Sequence, residues 1–119
     1  MKQSLAETCY RFFSVLANPT RLAILENLRR GPMNVKQVAD ALKQEQSMIS
    51  HNLKPLVECR FVFVERKWKE RIYSINRETM EPVFKAFNFH AEKYCPTKGR
   101  CLKNPRKRSR AKLIYVRHE

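Results

Sequence analysis

Residues 34–58, NVKQVADALKQEQSMISHNLKPLVE, decide the fold of this chain. Two runs of apolar residues at helical spacing flank a short polar stretch at residues 43–46. The runs are Val35, Val38, Ala39 and Leu42, and then Ile49, Leu53, Leu56 and Val57. Asn34 is a suitable N-cap for the first helix. Two amphipathic helices joined by a brief polar turn predict a helix-turn-helix.

The exposed face of the second helix is the first candidate binding surface. Its side chains are short or hydrogen-bonding, so they can reach base edges and phosphates. They are Gln46, Ser47, Met48, Ser50, His51 and Lys54. An ordinary surface helix is the alternative, and His51 alone has the further alternative of packing against the preceding helix. Pro55 removes a helical hydrogen bond and predicts a bend after the base-reading end.

Two helices are predicted upstream of this segment. Their apolar positions are Leu5, Cys9, Phe12, Phe13 and Leu16 in the first, and Leu22, Leu25 and Leu28 in the second. Asn18 and Pro19 suit the N-cap and first position of the second helix, which is expected to end at Gly31-Pro32.

A β-hairpin and a last helix are predicted downstream. Residues 61–64 and 71–75 are rich in β-branched and aromatic residues, and the charged segment ERKWKE connects them. Such a hairpin forms a wing that directs Arg66, Lys67, Lys69 and Arg71 towards a DNA backbone or minor groove. The last helix carries an apolar stripe of Met80, Val83, Phe84, Phe87, Ala91 and Tyr94.

The expected architecture is mainly α with a small β-hairpin, a winged helix-turn-helix. The apolar stripes of the first and last helices exceed what one small core needs. Their surplus predicts a homodimer built from the terminal helices, which would present two recognition helices to successive major grooves.

Charge divides the chain into two expected parts. The 119 residues carry a formal net charge of +14, of which +6 falls in residues 1–95 and +8 in residues 96–119. We therefore expect a folded DNA-binding domain over 1–95 and a basic tail over 96–119 that either contacts phosphate or is merely solvated. With no signal-peptide pattern and no apolar run of spanning length, a cytoplasmic protein outside the membrane is expected.

The segments LANPTRLAIL and QSMISHNL, with VKQVADAL and the hairpin, resemble the ArsR/SmtB family of winged-helix repressors. The second segment matches the family's Ser-x-x-Ser-His-x-Leu recognition helix. The resemblance covers about residues 5–94. It implies a homodimer that binds a double-stranded DNA operator and leaves it when an inducer binds, commonly a metal or metalloid ion, an oxidant or a sulfur species.

Several positions depart from the family pattern. Asn34 and Lys36 stand where the arsenic- and cadmium-sensing branches carry a Cys-x-Cys pair. The last helix offers His90 and Glu92, fewer ligands than zinc usually takes. Trp68 lies near the point where the wing usually has a glycine.

Cysteine chemistry is the candidate for sensing. Lys98 and Arg100 lie near Cys95 and Cys101, and nearby cations lower the pKa of a thiol. The pair can close a disulfide or hold a soft metal or metalloid ion, with Cys9 contributing from either subunit. The segment KYCP at the end of the last helix is similar to the sulfane-sulfur-sensing branch. That branch pairs this cysteine with one in the second helix, where this chain has Glu26. A redox or persulfide switch, soft-metal binding and no sensing role all stay open, and no cofactor is certain. Cys9 has the alternative of a small buried hydrophobe, and Cys59 is interpreted as structural or incidental.

The leading function is therefore a sequence-specific transcriptional repressor. The alternative is an architectural or RNA-associated protein that uses its basic tail without an inducer. No enzyme is expected, because none of His51, His90 and His118 lies in a ligand or base motif beside a nucleophile.

Overall fold

The computed structural model describes residues 10–99, which form five helices and one hairpin. The elements are α1 (Arg11–Leu16), α2 (Pro19–Leu28), α3 (Val35–Leu42), α4 (Gln46–Glu58), β1 (Val62–Lys67), β2 (Glu70–Ile75) and α5 (Arg77–Tyr94). A helix-turn-helix followed by a two-stranded antiparallel sheet is a winged helix-turn-helix, so the predicted fold class is confirmed.

Both predicted N-caps are confirmed. The side chain of Asn18 accepts from the backbone N–H of Arg21, and Pro19 occupies the first helical position of α2. Asn34 forms a capping box with Gln37, in which each side chain accepts from the other residue's backbone N–H. Such caps satisfy amides that have no partner within the helix.

Two compact units divide the chain, with the boundary after Arg77. In the first unit α2, α3 and α4 contact one another, α4 contacts β1, and β2 contacts α2 and α3. Its core residues are Val15, Ile24, Leu25, Leu28, Val38, Ala39, Ile49, Leu53, Leu56, Phe61, Val62, Tyr73 and Ile75. Helix α5 belongs to the second unit. The expected boundary at residue 95 stays a prediction.

Leu22 departs from the predicted apolar stripe of α2. Its side chain is 45% exposed, whereas Ile24, Leu25 and Leu28 are fully buried. The stripe prediction was therefore wrong at Leu22, because α2 packs through a face centred on Ile24 and Leu25.

The strands are longer than the sequence predicted. Pairing continues from Val62↔Ile75 to Lys67↔Glu70, so four residues of the segment ERKWKE belong to strands. Only Trp68 and Lys69 form the turn. Charged residues fit these strands because both faces of the hairpin's outer half are exposed. Met33 also pairs with Tyr73 through two backbone hydrogen bonds, which fixes β2 from its other edge.

Helix α4 continues through Pro55 to Glu58. Proline has no amide hydrogen to donate to the carbonyl of His51, four residues earlier. The interruption therefore lies in the second half of the helix, beyond its amino-terminal turns. Among residues 10–99, no helix is both long and apolar enough to cross a bilayer.

Candidate nucleic-acid interface

Helix α4 lies on the core by one face and exposes the other. Ile49, Leu53 and Leu56 are at most 1% exposed. The six predicted contact residues all lie on the exposed side, namely Gln46, Ser47, Met48, Ser50, His51 and Lys54. The exposure of His51 argues against its packing on the preceding helix.

A buried polar contact fixes α4 against α2. Arg21 Nε donates to Asn52 Oδ1 at 3.1 Å, and Arg21 Nη1 donates to the carbonyl of Val15 at 3.3 Å. Asn52 is 8% exposed, and its Nδ2 donates to the carbonyl of Met48 at 3.0 Å. Sequence reasoning missed this pair, because its members lie 31 positions apart and give no periodic signal. The signal that the sequence offered was a polar residue, Asn52, on the apolar side of α4.

The carboxyl end of α4 is held by α1. Arg11 donates to the carboxylate of Glu58 at 2.8 Å, with both side chains about half exposed. A side-chain hydrogen bond with Cys59, together with electrostatic interactions with Cys59 and Glu58, raises the pKa of Arg11. Cys59 is the half-buried C-cap of α4, in agreement with its structural interpretation.

The amino end of α4 follows a tight turn. Lys43 takes a left-handed conformation with φ 55°, and the N–H of Gln44 donates to the carbonyl of Ala39. Glu45 is the N-cap of α4 but makes no side-chain capping bond. The first amides of α4 thus have no side-chain acceptor from the N-cap, and helix amino ends favour anions.

The wing carries its four predicted basic residues on exposed positions near the turn. Arg66 pairs directly with Arg71, and Lys67 pairs with Glu70. Residues that pair across strands share one face of the hairpin. The two arginines therefore lie on the face that carries the core residues Val62, Tyr73 and Ile75 nearer its base.

The acidic residues within α4 and the wing have partners, whereas most of the basic residues of α4 and the wing do not. Glu58 binds Arg11, Glu65 lies 4.0 Å from Lys67, and Glu70 accepts from Asn34 Nδ2 at 3.2 Å. Within α4 and the wing, the lysine, arginine and histidine side chains without an ion pair or side-chain hydrogen bond to another described residue are His51, Lys54, Arg66, Lys69 and Arg71. The surface is thus electropositive at the helix and at the wing.

Cys95 lies directly after α5, and the turn that follows folds back on its thiol. Its Sγ is 3.3 Å from Thr97 Oγ1. The Thr97 hydroxyl, and then the backbone N–H groups of Gly99, Thr97 and Lys98, lower the pKa of Cys95. The direction agrees with the sequence prediction, but the cause differs. Hydrogen bonds to the thiolate favour ionisation here, whereas the sequence pointed to cations.

The remaining predicted sensing residues, Cys9 and Cys101, lie outside the described residues, so the predicted Cys95/Cys101 pair stays a prediction. Within residues 10–99, no three His, Cys, Asp or Glu side chains form a group that could hold a metal ion. On the last helix, His90 stacks against Tyr94 with ring centroids 5.6 Å apart.

This arrangement defines a class: a winged helix-turn-helix with an exposed, electropositive recognition helix and wing. The sequence model for bacterial regulatory proteins of the ArsR family matches residues 18–63. The chain is 35% identical over 77 residues to the HTH-type transcriptional regulator NmtR of Mycobacterium tuberculosis, covering 65% of this chain and 64% of that protein. The chain is thus similar to ArsR-family regulators over residues 18–63.

Two further comparisons agree. The chain is 35% identical over 69 residues to the "Probable mercury resistance operon repressor" of Streptomyces lividans, covering 58% of this chain and 55% of that protein. The homodimeric winged helix-turn-helix DNA-binding domain Mb0332 from Mycobacterium bovis superposes with a TM-score of 0.67 at 27% identity, covering 79% and 92% of the two chains. The matches thus span less than two thirds of the length of these two curated relatives.

Proposed function

We propose that this protein is a dimeric, sequence-specific DNA-binding transcriptional repressor that a thiol-directed inducer releases from its operator. The observation that carries the proposal is the exposed face of α4. Its polar and basic side chains have no side-chain partner among residues 10–99, while Asn52 and three buried apolar residues hold the helix in place. A fixed helix with free hydrogen-bonding groups is suited to reading base edges in a major groove.

Each part of the surface has its own role in this proposal. Ser47, Ser50 and His51 contact base edges or nearby phosphates from α4, with Gln46 and Met48 beside them. Lys54 and the wing residues Arg66, Lys67, Lys69 and Arg71 neutralise phosphates. Phosphate contacts supply affinity and register, and base contacts supply specificity.

The exposed aromatic residues of the terminal helices support the proposed homodimer. Phe13 on α1 is 62% exposed, and Phe87 and Phe89 on α5 are 54% and 66% exposed. Exposed aromatic residues of this number favour a protein interface. The relatedness to a homodimeric domain supports the same assembly. Sedimentation velocity on the full chain tests it, and a monomer at micromolar concentration would contradict it.

Selection from a random 30-bp duplex library tests sequence specificity. We expect an enriched, palindromic sequence, because a two-fold dimer reads two equivalent half-sites. If no sequence is enriched, the alternative of an architectural or RNA-associated protein is favoured. Deletion of residues 96–119 then distinguishes the two, because the alternative predicts that this deletion removes all binding.

A matched pair of lysine variants tests the surface. Lys54→Ala removes an unpaired cation from α4, whereas Lys36→Ala removes one that pairs with Asp40 at 3.1 Å on α3. If Lys54 contacts a phosphate, Lys54→Ala lowers the slope of log affinity against log salt by about 1 per subunit. Lys36→Ala should leave the slope unchanged. Equal slopes for both variants would contradict the assignment.

The inducer is proposed to act at Cys95, with Cys101 and Cys9 as its partners. The support is the lowered pKa of Cys95, which raises the fraction of reactive thiolate. Polysulfide, arsenite and zinc are the three probes for release of DNA in a mobility-shift assay. We expect Cys95→Ser combined with Cys101→Ser to keep DNA affinity and to abolish release, while Cys59→Ser behaves as the wild type. Unchanged release from the double variant would refute the proposal.

A further inference from the structure

The tip of the wing carries a residue that neither the core nor the turn requires. Trp68 is the only tryptophan of the chain and is 91% exposed. It is the first of the two turn residues and has a φ of 61°. Glycine or asparagine is favoured at such a position in a two-residue hairpin, because a side chain there is strained. A bulky, exposed ring in a strained conformation points to a functional role.

The surroundings of Trp68 are cationic. Arg66 and Arg71 lie directly opposite each other two positions before and three positions after it, and like charges opposite each other destabilise a hairpin. Lys69 adjoins it in the turn. The nearby carboxylates are occupied, because Glu65 lies 4.0 Å from Lys67 and Glu70 accepts from Asn34. An anion that binds between the arginines would remove their repulsion.

The turn that carries Trp68 is fixed on both sides. Lys67 and Glu70 pair immediately before and after the turn. The bond from Asn34 Nδ2 to Glu70 Oε1 then joins the start of β2 to the amino end of α3. The ring is therefore presented by a short turn on an anchored hairpin and does not sit on a long loop.

We propose that Trp68 is an apolar wedge that the wing inserts into the minor groove of duplex DNA, where it stacks on or between base pairs. Arg66, Lys69 and Arg71 neutralise the phosphates on either side. The inference rests on the proposed function and adds to it the residue by which the wing deforms its site. A minor groove is about 6 Å wide, and the phosphates along both of its edges attract cationic side chains. Apolar side chains inserted there unstack a base step and kink the duplex.

The experiment uses the full chain with the selected 30-bp duplex and reads three signals. Fluorescence anisotropy of an end-labelled duplex reports binding whether or not Trp68 takes part. Quenching of the emission of Trp68 reports stacking of its ring on bases. 2-Aminopurine, placed at successive positions of the duplex, reports which step becomes unstacked. We expect all three signals to change at the same protein concentration, with one unstacked step per wing.

Two variants separate the ring from the turn. Trp68→Gly relieves the strained φ and removes the ring, so we expect a higher melting temperature of the protein but a weaker complex. Stacking energies of aromatic side chains on bases predict an affinity loss of about 5-fold or more. Because the indole is neutral, the salt dependence should not change. Trp68→Phe keeps an aromatic wedge and should retain most of the affinity and the 2-aminopurine signal.

The outcomes are distinguishable. If anisotropy rises but the emission of Trp68 is unchanged and Trp68→Gly binds as tightly as the wild type, the wedge is refuted while the proposed function stands. If the anisotropy does not rise, the protein does not bind the duplex, and this contradicts both the proposed function and the wedge that rests on it. If a single-stranded 30-mer or vesicles of anionic phospholipid quench Trp68 and the duplex does not, the ring serves a different partner and the inference is overturned.

Discussion

The contact between Arg21 and Asn52 gives a quantitative prediction about how α4 is held. Asn52→Ala removes the acceptor of the 3.1 Å bond from Arg21 Nε and the bond from Asn52 Nδ2 to the carbonyl of Met48. A hydrogen bond to a charged group contributes about 1.5–3 kcal/mol. Arg21 is half-buried, so water replaces the lost acceptor only in part.

Asn27→Ala is the matched control. Asn27 Nδ2 donates to the carbonyl of Ala23 at 3.0 Å, the same bond to the residue four positions earlier that Asn52 makes. Asn27 lies on α2 and, among the described residues, accepts no hydrogen bond from a side chain of another helix. Asn27→Ala therefore has the same gain in helix propensity and loses the same bond to the carbonyl four positions earlier. The difference between the two variants isolates the bond between the helices, and we expect it to be about 2 kcal/mol in the free energy of unfolding.

Urea denaturation followed by circular dichroism at 222 nm measures both variants, at one fixed protein concentration because dimerisation contributes to stability. For a domain of this size, about 2 kcal/mol corresponds to a fall of roughly 10 °C in melting temperature. A double-mutant cycle with Arg21→Met should give a coupling free energy of about 1–2 kcal/mol. If Asn52→Ala and Asn27→Ala differ by less than about 0.5 kcal/mol, the bond does not hold α4 and the reasoning is wrong.

Two further predictions follow from named contacts. The rate of alkylation of Cys95 should rise with pH about a midpoint below that of an ordinary thiol, because its hydrogen bonds favour the thiolate. Thr97→Ala should move this midpoint upward. Peptide-resolved mass spectrometry measures the midpoint, and an unmoved value would exclude Thr97 as the cause. Asn34→Ala should lower the free energy of unfolding by about 1–2 kcal/mol. It removes the capping hydrogen bond that Asn34 accepts from the N–H of Gln37 and the hydrogen bond that it donates to Glu70. Asn34→Asp keeps the cap but places a second carboxylate beside Glu70, so a variant as stable as the wild type would contradict that contact.

Local features of the sequence were enough to predict the helices and the order of the elements. Asn18, Pro19 and Asn34 act within one turn of their own helices, so their roles can be read from neighbouring residues. The apolar spacing of α3 and α4 likewise identified their buried faces. The resemblance carried by QSMISHNL pointed to the ArsR family, and the model of that family matches residues 18–63.

The prediction was less accurate where the outcome depends on register or on a particular packing face. The segment ERKWKE reads as a charged loop because charges are rare in buried strands, but here the strands extend beyond the core and need no apolar residues. Leu22 fits an apolar stripe in the sequence, but the tertiary packing buries a neighbouring face of α2 that is centred on Ile24 and Leu25. Neither effect is visible in local periodicity.

The sequence by itself determined the helices, the order of the elements, the charge and the residue types that face outward on α4, because these depend on interactions within a few residues. Only the tertiary structure decided which polar groups are already occupied. It joined Arg21 to Asn52 and Glu70 to Asn34, placed Arg66 opposite Arg71, and surrounded the thiol of Cys95 with hydrogen-bond donors. These pairings depend on distances of a few ångströms between groups on different elements or across a turn, which packing sets. They leave Lys54 and the tip of the wing available for a partner.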